Sequence, residues 1–549
     1  MNKIYVWRFY FVLIVLALLL GVMLARALDL QVLNKEFYIE QGLQRFERVE
    51  EFKVARGNIV DRNGEPLAVS TPVTTIWADP RELKLEDLPA ISKLSGVPLS
   101  VLKNRYDPKK HFIYIARQLA PADADLLMSQ KFSGVYSVNE FKRFYPAGEI
   151  ISQLIGFTDI NDHGQEGLEL EYETHLSGHD GSKSILKTRK GDAIRDVKMI
   201  EEAQAGEDIQ LTIDLQLQYI AYKELKKATT KLHAQSGSIV ILNIENNEIL
   251  AMANMPSFNP NDRATLEGIG LRNRVLTNQY EPGSVMKTFT LAAALESGKF
   301  NEQSIIDVKP MRISGRSTVL EDPRYYGEID LETILAKSSN VGVTKIALEL
   351  GDQPMWRKFY ELGFGQSSGL GFPGEVTGYL PNHEKWQEVQ LSSLSFGYGI
   401  TVTPMQLAQA TSVIANEGVK LPVKLLKNNQ YLTSAPETVM TKNNAKILKN
   451  MMKQVVEKGT GSKAALNNYS VAGKTGTARK VSSEGYIDDQ HTATFIGFAP
   501  VEEPKIVVVV VIDSPQGELY GGGAVAAPVF SSVMQQALPL LNVIPKEAI

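Results

Sequence analysis

The chain has 549 residues, which is too long for one compact core and predicts two or more folded domains. Its 58 Lys and Arg residues nearly balance its 62 Asp and Glu residues, and the formal net charge is −4. This balance gives no support for a nucleic acid partner, because phosphate binding normally requires a basic excess. The absence of cysteine excludes disulfides, zinc–thiolate sites and a cysteine nucleophile.

An uncharged apolar run covers residues 9–25 and extends to residue 28 if Arg26 snorkels at its end. It predicts one membrane-spanning helix at 9–28, preceded by a cytoplasmic tail at 1–8. Lys3 and Arg8 stand before the run, which orients everything after it to the outside. The alternative is a signal peptide cleaved after Ala27, but the run is longer than most cleavable segments and Arg26 disfavours cleavage.

The pattern after the anchor predicts a mixed domain at 29–205 and a second domain at 206–549. In the second domain, residues 215–232 predict an amphipathic helix capped by Asp214. Two strands are predicted around a turn at Asn246 and Asn247, at 238–243 and 248–253.

Near the end of the chain, strands are predicted at 492–498 and 505–512, and an apolar helix at 524–541. Strands at both ends of a region with helices between them favour an α+β fold whose termini share one sheet.

Acyl chemistry without cysteine requires a Ser or Thr nucleophile and a nearby base. In the pattern Ser-x-x-Lys on a helix, the lysine lies one turn along on the same face. The pattern occurs three times, at Ser100 and Lys103, at Ser184 and Lys187, and at Ser284 and Lys287. Only Ser284 follows a Pro-Gly turn and opens an apolar helix, at 285–295, whereas the other two stand in charged sequence that predicts loops. We therefore expect Ser284 to be the nucleophile.

Two further elements lie downstream of Ser284. Ser338 and Asn340 form the only Ser-x-Asn after the nucleophile, the earlier copies being at Ser137 and Ser257. Residues 474–477 read Lys-Thr-Gly-Thr, and no other Lys-Thr-Gly occurs. The preceding Gly-Lys-Thr half-matches a phosphate-binding loop, but Asn468 stands where that loop needs glycine, so nucleotide binding is not expected.

The order Ser-x-x-Lys, Ser-x-Asn, Lys-Thr-Gly resembles that of penicillin-binding proteins and serine β-lactamases. The motifs YEPGSVMK (280–287), KSSNVGV (337–343), FGYGI (396–400) and YGGG (520–523) look like those of the division-specific class B transpeptidases of Gram-negative bacteria. RGNIVDR (56–62) and GLE (167–169) look like that family's pedestal-domain motifs. The resemblance implies a transmembrane anchor, a mixed α/β pedestal of dimerisation type, and a transpeptidase domain with an antiparallel sheet flanked by helices.

The resemblance also implies roles for the motif residues. Ser284 would attack the penultimate D-Ala carbonyl of a peptidoglycan stem peptide, and Lys287 would accept its proton as a neutral amine, which requires a depressed pKa. Ser338 would relay a proton to the leaving amine, and Asn340 would hold Lys287 and the substrate amide.

The resemblance also implies which residues bind the terminal carboxylate of the substrate and the oxyanion. Thr475, Gly476 and Thr477 would form the strand that binds the terminal carboxylate beside Lys474. The backbone N–H groups of Ser284 and Thr477 would form the oxyanion hole.

Two other interpretations are considered and not adopted. His175 and His179 stand near Glu169, Glu171 and Glu173, but Gly178 makes one helix presenting both histidines doubtful, so no metal or other cofactor is predicted. No Glu-x-x-Leu-Asn follows Ser338, and the second motif is Ser-Ser-Asn and not Ser-Asp-Asn, so acyl transfer is favoured over β-lactamase hydrolysis.

The resemblance implies an inner-membrane protein with its catalytic domain in the periplasm, acting at the division septum and acylated by β-lactams. A polytopic membrane glycan polymerase and other division proteins are the implied partners. An elongation-specific transpeptidase, a penicillin-sensing receptor and an inactive scaffold with the same fold remain as alternatives. The five residues Ser284, Lys287, Ser338, Asn340 and Lys474 are all present, which argues against the scaffold.

Overall fold

The computed structural model describes residues 3–38, 47–187, 193–266, 268–428, 435–482 and 485–545. Residues 1 and 2 of the predicted tail lie outside these ranges. The described residues form two compact units.

The strands of the described residues are, in chain order, β1 Glu47–Phe52, β2 Ile59–Val60, β3 Pro66–Ala78, β4 Ile113–Leu119, β5 Val135–Phe144, β6 Gly181–Lys187, β7 Ala193–Glu201, β8 Ile209–Gln210, β9 Ser236–Asn243, β10 Ile249–Met255, β11 Ile305–Asp307, β12 Glu328–Asp330, β13 Val419–Lys420, β14 Glu437–Thr438, β15 Ala472–Ser482, β16 Gly485–Ala499 and β17 Ile506–Asp513.

The α-helices of the same ranges are α1 Lys3–Leu28, α2 Leu88–Ser95, α3 Leu99–Arg105, α4 Pro121–Ser129, α5 Ser152–Ile155, α6 Gly167–Glu171, α7 Glu173–Leu176, α8 Leu215–Lys231, α9 Arg274–Thr277, α10 Met286–Glu296, α11 Leu331–Lys337, α12 Asn340–Leu350, α13 Asp352–Glu361, α14 Glu388–Ser395, α15 Pro404–Ala415, α16 Lys442–Glu457 and α17 Gly522–Leu540.

The first unit comprises Met1–Ala55, Pro72–Phe141 and Gly178–Gly206. Strands β1, β6 and β7 form an antiparallel sheet in it, and β4 pairs with the later part of β3. A small apolar core joins that pair to helices α2, α3 and α4 through residues such as Ile76, Leu88, Ile91 and Leu127.

Helix α1 is the single helix of the described residues that is long and apolar enough to cross a membrane. The candidate span is Val6–Leu33, 28 residues, because a π-helical turn at Asp29–Leu33 continues α1. At about 1.5 Å per residue this exceeds the ~30 Å of hydrocarbon. No residue of the span is buried within the protein, as expected for a segment whose apolar side chains are covered by lipid.

The second unit comprises Arg56–Thr71, Lys142–Ser177 and Glu207–Ile549. Its centre is an antiparallel sheet in the order β10-β9-β17-β16-β15. Strands from the start and the end of this unit are therefore neighbours, which confirms the predicted α+β fold. The predicted strands and helices of this sheet lie within a few residues of the observed ones, and Asp214 caps α8 by accepting from the N–H of Gln216 and Leu217.

Both faces of the sheet are covered by helices. Alternate residues of β17 belong to different apolar clusters: Val507 and Val509 face one cluster, and Val508 and Val510 the other. Helices α10 and α15 pack on the first face, and helices α8 and α17 on the second. Burial on both faces explains why this strand reads as an unbroken apolar run and not as an alternation.

The two units do not coincide with the predicted domains 29–205 and 206–549. Residues 56–71 and 142–177 belong to the unit that contains the sheet. Within that unit, the buried carboxylate of Glu169 accepts from Arg56 Nε and from Arg143 Nε, each at 2.6 Å. These pairs connect residues far apart in sequence and satisfy a charge that would be costly to bury alone.

Candidate active site

Ser284 lies in a one-turn 3₁₀ helix, Gly283–Val285, which leads directly into α10. Gly283 has a φ of +57°, and a Cβ at this position would lie 2.6 Å from the carbonyl oxygen of Thr477. Only glycine fits such a close approach at positive φ. The predicted Pro-Gly turn before an apolar helix is therefore present, and it brings the backbone next to Ser284 into close contact with strand β15.

A second glycine holds this turn from the other side. The N–H of Gly283 donates to the carbonyl oxygen of Gly397 at 3.1 Å. A Cβ on Gly397 would lie 2.1 Å from the carbonyl oxygen of Gly283. The FGYGI segment thus fixes the turn before Ser284 by backbone contact.

Ser338 occupies the junction between α11 and α12 with φ +58° and ψ 44°. This left-handed conformation is unusual for serine and costs about 1–3 kcal/mol, which the surrounding contacts must offset. The Nζ of Lys287 donates to the Ser338 carbonyl oxygen at 2.5 Å and lies 3.0 Å from its Oγ. The Nζ of Lys474 lies 3.1 Å from the same Oγ. The three sequence motifs therefore meet at one hydroxyl.

Both lysines are buried, Lys287 with 1% and Lys474 with 0% of its surface exposed. Burial, with the positive charge of Lys474 as the second cause, lowers the pKa of Lys287 well below its ordinary value, while Asp322 acts in the opposite direction. Burial lowers the pKa of Lys474 to about 7. A water-excluding site disfavours two ammonium groups on one hydroxyl, which favours the neutral form of Lys287.

Strand β15 forms the edge of the sheet next to these groups. Its Thr477 hydroxyl accepts from the N–H of Gly522 at 3.0 Å, and its Thr475 hydroxyl is 2.8 Å from that of Thr460. Gly476 lies against the turn before Ser284, since a Cβ on it would be 2.7 Å from the carbonyl oxygen of Pro282.

A pocket of about 470 Å³ opens over these groups. Its lining residues are Ser284, Ser338, Thr460, Ser462, Lys463, Thr475, Thr477, Gly521, Gly522, Gly523 and Ala524. The lining is rich in hydroxyl groups and contains no carboxylate, which suits an anionic ligand. The predicted Ser284, Ser338, Thr475 and Thr477 share this pocket.

Asn340 is the first residue of α12, and its backbone N–H donates to Asp322 at 2.6 Å. Its side-chain amide makes no hydrogen bond with any described residue, so the expected contact with Lys287 is not formed in this structure. The amine of Lys287 is held by Ser338 instead.

Asp322 was missed by the sequence interpretation. Its carboxylate accepts from the N–H groups of Asn340 and Val341 and is hydrogen-bonded to the hydroxyl of Ser339, at the start of α12. A carboxylate at a helix N-terminus is stabilised by the unpaired N–H groups there. The residues around Asp322 form no recognisable motif, so the sequence gives no indication of these contacts.

The expectation that the other two Ser-x-x-Lys copies lie in loops was wrong. Ser100 lies in the first turn of helix α3, directly after Leu99, and Ser184 lies in strand β6. Pro98 is the N-cap residue directly before α3, where its missing N–H is not needed by the helix. Both serines belong to the first unit, whereas Ser284 belongs to the second.

Comparison with known proteins places this geometry in a family. The penicillin-binding protein transpeptidase domain matches residues 237–535, and the penicillin-binding protein dimerisation domain matches residues 51–211.

The chain is 42% identical to the probable peptidoglycan D,D-transpeptidase PbpC of Pseudomonas aeruginosa, over 98% of this chain and 96% of the relative. It is 37% identical to the peptidoglycan D,D-transpeptidase FtsI of Escherichia coli, over 98% of this chain and 92% of the relative. A crystal structure of a peptidoglycan synthetase from Bifidobacterium adolescentis has the same fold, with a TM-score of 0.75 at 24% identity, over 92% of this chain and 98% of that one.

The chain therefore belongs to the penicillin-binding proteins that join a dimerisation domain to a transpeptidase domain. This confirms the class B resemblance of its motifs. With its one apolar N-terminal helix, it is a membrane-anchored member of that family.

Proposed function

We propose that this protein is a peptidoglycan D,D-transpeptidase that cross-links stem peptides through an acyl ester on Ser284 and is inactivated by β-lactams on the same residue. One observation supports this most directly: the amines of Lys287 and Lys474 converge on the Ser338 hydroxyl beside the pocket that Ser284 lines. A neutral amine, a relay hydroxyl and a serine that can be reached from the pocket are the groups that acyl transfer requires.

The first half-reaction follows from this arrangement. A neutral Lys287 amine has two N–H donors and one lone pair. With both donors directed to Ser338, the lone pair is left to accept the proton of Ser284 as its Oγ attacks the D-Ala carbonyl. Ser338, in contact with both lysines, carries a proton to the nitrogen of the departing D-Ala. Backbone N–H groups of Ser284 and Thr477 stabilise the oxyanion, worth about 3–4 kcal/mol per donor.

Substrate binding is assigned to the strand and its neighbours. Thr475 and Thr477 bind the terminal carboxylate near Lys474, and Asn340, whose amide is unoccupied by described residues, binds the peptide amide of the donor. No Glu-x-x-Leu-Asn follows Ser338, and a positioned general base is worth about 10²–10⁴ in rate. The acyl ester therefore survives until an amine arrives.

The place of action is part of the proposal. We infer an inner-membrane protein with residues beyond the anchor in the periplasm, on the basis of Lys3 and Arg8 before the apolar run. A pedestal at 29–205 and a transpeptidase domain at 206–549 are the proposed domains. A septal role, with a polytopic glycan polymerase and other division proteins as partners, is proposed from the resemblance to the division-specific class.

The function is tested with the purified full-length protein in detergent. Nitrocefin is expected to release one equivalent of colour and then stop, because acylation is fast and deacylation slow. An N-acyl-D-alanyl thioester given with an amine is expected to yield the amide. Sustained nitrocefin turnover would indicate a hydrolase, and acylation without any amide product would indicate a sensing receptor.

The septal role has a separate test. Fluorescent penicillin bound to this protein is expected at the division site in dividing cells. Labelling along the side wall alone would favour the elongation-specific alternative.

A further inference from the structure

One wall of the active-site pocket belongs to none of the three sequence motifs. It is the segment 459–464, which follows α16 and carries the lining residues Thr460, Ser462 and Lys463. The N–H of Thr460 donates to the carbonyl oxygen of Ala336, two residues before Ser338. The Thr460 hydroxyl meets that of Thr475, and a Cβ on Gly523 would lie 2.5 Å from the carbonyl oxygen of Thr460. The wall is thus fixed to α11, to β15 and to the start of α17.

Lys463 is the only ionisable side chain among the residues that line the pocket. It is exposed, and it makes no hydrogen bond or ion pair with any described residue. The adjacent Ala464 is buried, so the backbone that carries Lys463 is anchored while its side chain is free to reach a ligand. A cation at the rim of a hydroxyl-lined pocket without carboxylates indicates an anionic ligand at this wall.

The two buried lysines at the Ser338 hydroxyl are not equivalent to the exposed Lys463 as a source of positive charge. Burial lowers the pKa of Lys474 to about 7 and lowers that of Lys287 well below its ordinary value. Lys463 therefore adds a cationic side chain at the rim of the pocket, apart from the buried pair.

We propose that Lys463 determines acceptor specificity by binding a carboxylate carried by the incoming amine, on or next to the carbon that bears the nitrogen. The inference rests on the proposed transpeptidase function and names the acceptor class of that site. The departing group in that reaction is an amino acid, D-Ala, and the acceptor nitrogen must enter where the D-Ala nitrogen left. An amino-acid-type amine then directs its carboxylate to the side of the pocket that the D-Ala carboxylate has vacated, where the hydroxyl of Thr475 meets that of Thr460 in this wall.

In the transfer step, every bond and proton can be accounted for with these groups. The amine nitrogen forms a bond to the acyl carbon, and the ester bond between that carbon and Ser284 Oγ breaks. The proton lost by the amine ends on Ser284 Oγ through the neutral Lys287. Lys463 takes no part in the proton transfers and acts only on the position of the acceptor.

The experiment compares two acceptors on one acyl-enzyme. Full-length protein is acylated with an N-acyl-D-alanyl thioester and offered D-alanine or D-alaninamide, and the fraction of acyl groups transferred and not hydrolysed is measured. This partition is independent of the acylation rate. In Lys463→Ala, the preference for D-alanine over D-alaninamide is expected to fall about tenfold, the size of one charge-assisted hydrogen bond at a partly exposed site. Lys463→Arg should retain the preference, and Lys463→Glu should lower it further.

Lys458→Ala is the matched control, because it removes an exposed lysine five residues earlier that does not line the pocket. Its partition should equal that of the unchanged protein. An acceptor preference that is the same in Lys463→Ala as in the unchanged protein would overturn the inference alone. An unchanged protein that forms the acyl-enzyme and transfers it to neither amine would overturn the proposed function, and with it this inference.

Discussion

At the scale of single residues, two buried lysines share one serine. Each lysine approaches the Ser338 hydroxyl, at 3.0 and 3.1 Å. Two charges this close in a buried site repel each other strongly, so their protonation is coupled and their apparent pKa values belong to the pair. Burial lowers the pKa of Lys287 well below its ordinary value and that of Lys474 to about 7, which supports the proposed role of Lys287 as the base.

A pH dependence follows from these two shifts. Acylation needs Lys287 neutral, so the rate constant of acylation by penicillin should rise with pH through the lowered pKa of Lys287. It also needs Lys474 charged beside the penicillin carboxylate, so the rate constant should fall as pH rises through about 7, where Lys474 loses its proton. The acylation rate constant, measured by stopped flow between pH 5 and 10, should therefore show a bell-shaped dependence on pH.

Lys474→Arg serves as the control, because a guanidinium stays charged across this range. Whatever its absolute rate, this variant should lack the descending limb. A rate that still climbs from pH 7 to 9 in the unchanged protein would contradict the account of Lys474.

The sequence revealed the site residues that belong to motifs and missed those that do not. Ser284, Lys287, Ser338 and Lys474 were named from spacing and local context, and the structure brings them together. Asp322 and the wall that carries Lys463 were not found, because they act through contacts between distant segments. A single sequence contains no record of such contacts unless a local pattern marks them.

At the scale of secondary structure, the start of helix α12 fixes the second motif. Asp322 binds the first N–H groups of this helix and the hydroxyl of Ser339, directly after the strained Ser338. We expect Asp322→Ala to destabilise the protein by about 1–2 kcal/mol through loss of these hydrogen bonds. Because the Ser338 backbone is then free to leave its positive φ, penicillin acylation should also slow, by about 10- to 100-fold.

The neighbouring helix α11 provides a matched control. Asp330 caps it by accepting from the N–H of Thr333 at 2.8 Å. Asp330→Ala should cost a similar stability, measured by thermal unfolding, with little change in the acylation rate. Equal acylation rates in the two variants would show that Asp322 is a helix cap and no more.

The elements of the central sheet were predictable because burial on both faces leaves a strong apolar signal. Strand β17 is almost entirely aliphatic, and its limits differ from the prediction by one residue at each end. Helix α3 around Ser100 was missed because it has seven residues and an exposed face, so the periodic apolar pattern is too short to read.

At the scale of the whole molecule, the division into two units was the least predictable property. Segments 56–71 and 142–177 belong to the unit with the sheet, and the ion pairs of Arg56 and Arg143 with Glu169 connect them. These partners are separated by 113 and 26 residues. Composition changes along a chain mark linkers, but they do not show which segments return to the same core.

The anchor gives a prediction at this scale. The full chain should sediment with membranes and resist extraction by alkaline carbonate, because helix α1 buries its apolar surface in lipid. A variant that lacks residues 1–38 should be released into solution and react with penicillin at an unchanged rate. A mature N-terminus at Leu28, found by Edman sequencing, would show instead that a signal peptide had been removed.

The identity of the nucleophile is the central claim, and mass spectrometry of the penicillin-treated, digested protein tests it most directly. Three serines share the Ser-x-x-Lys pattern, but only Ser284 lines the pocket beside Ser338, Thr475 and Thr477. We predict one penicilloyl adduct, on the peptide that contains Ser284, and none in Ser284→Ala. An adduct on Ser100 or Ser184, or one that persists in Ser284→Ala, would contradict the account.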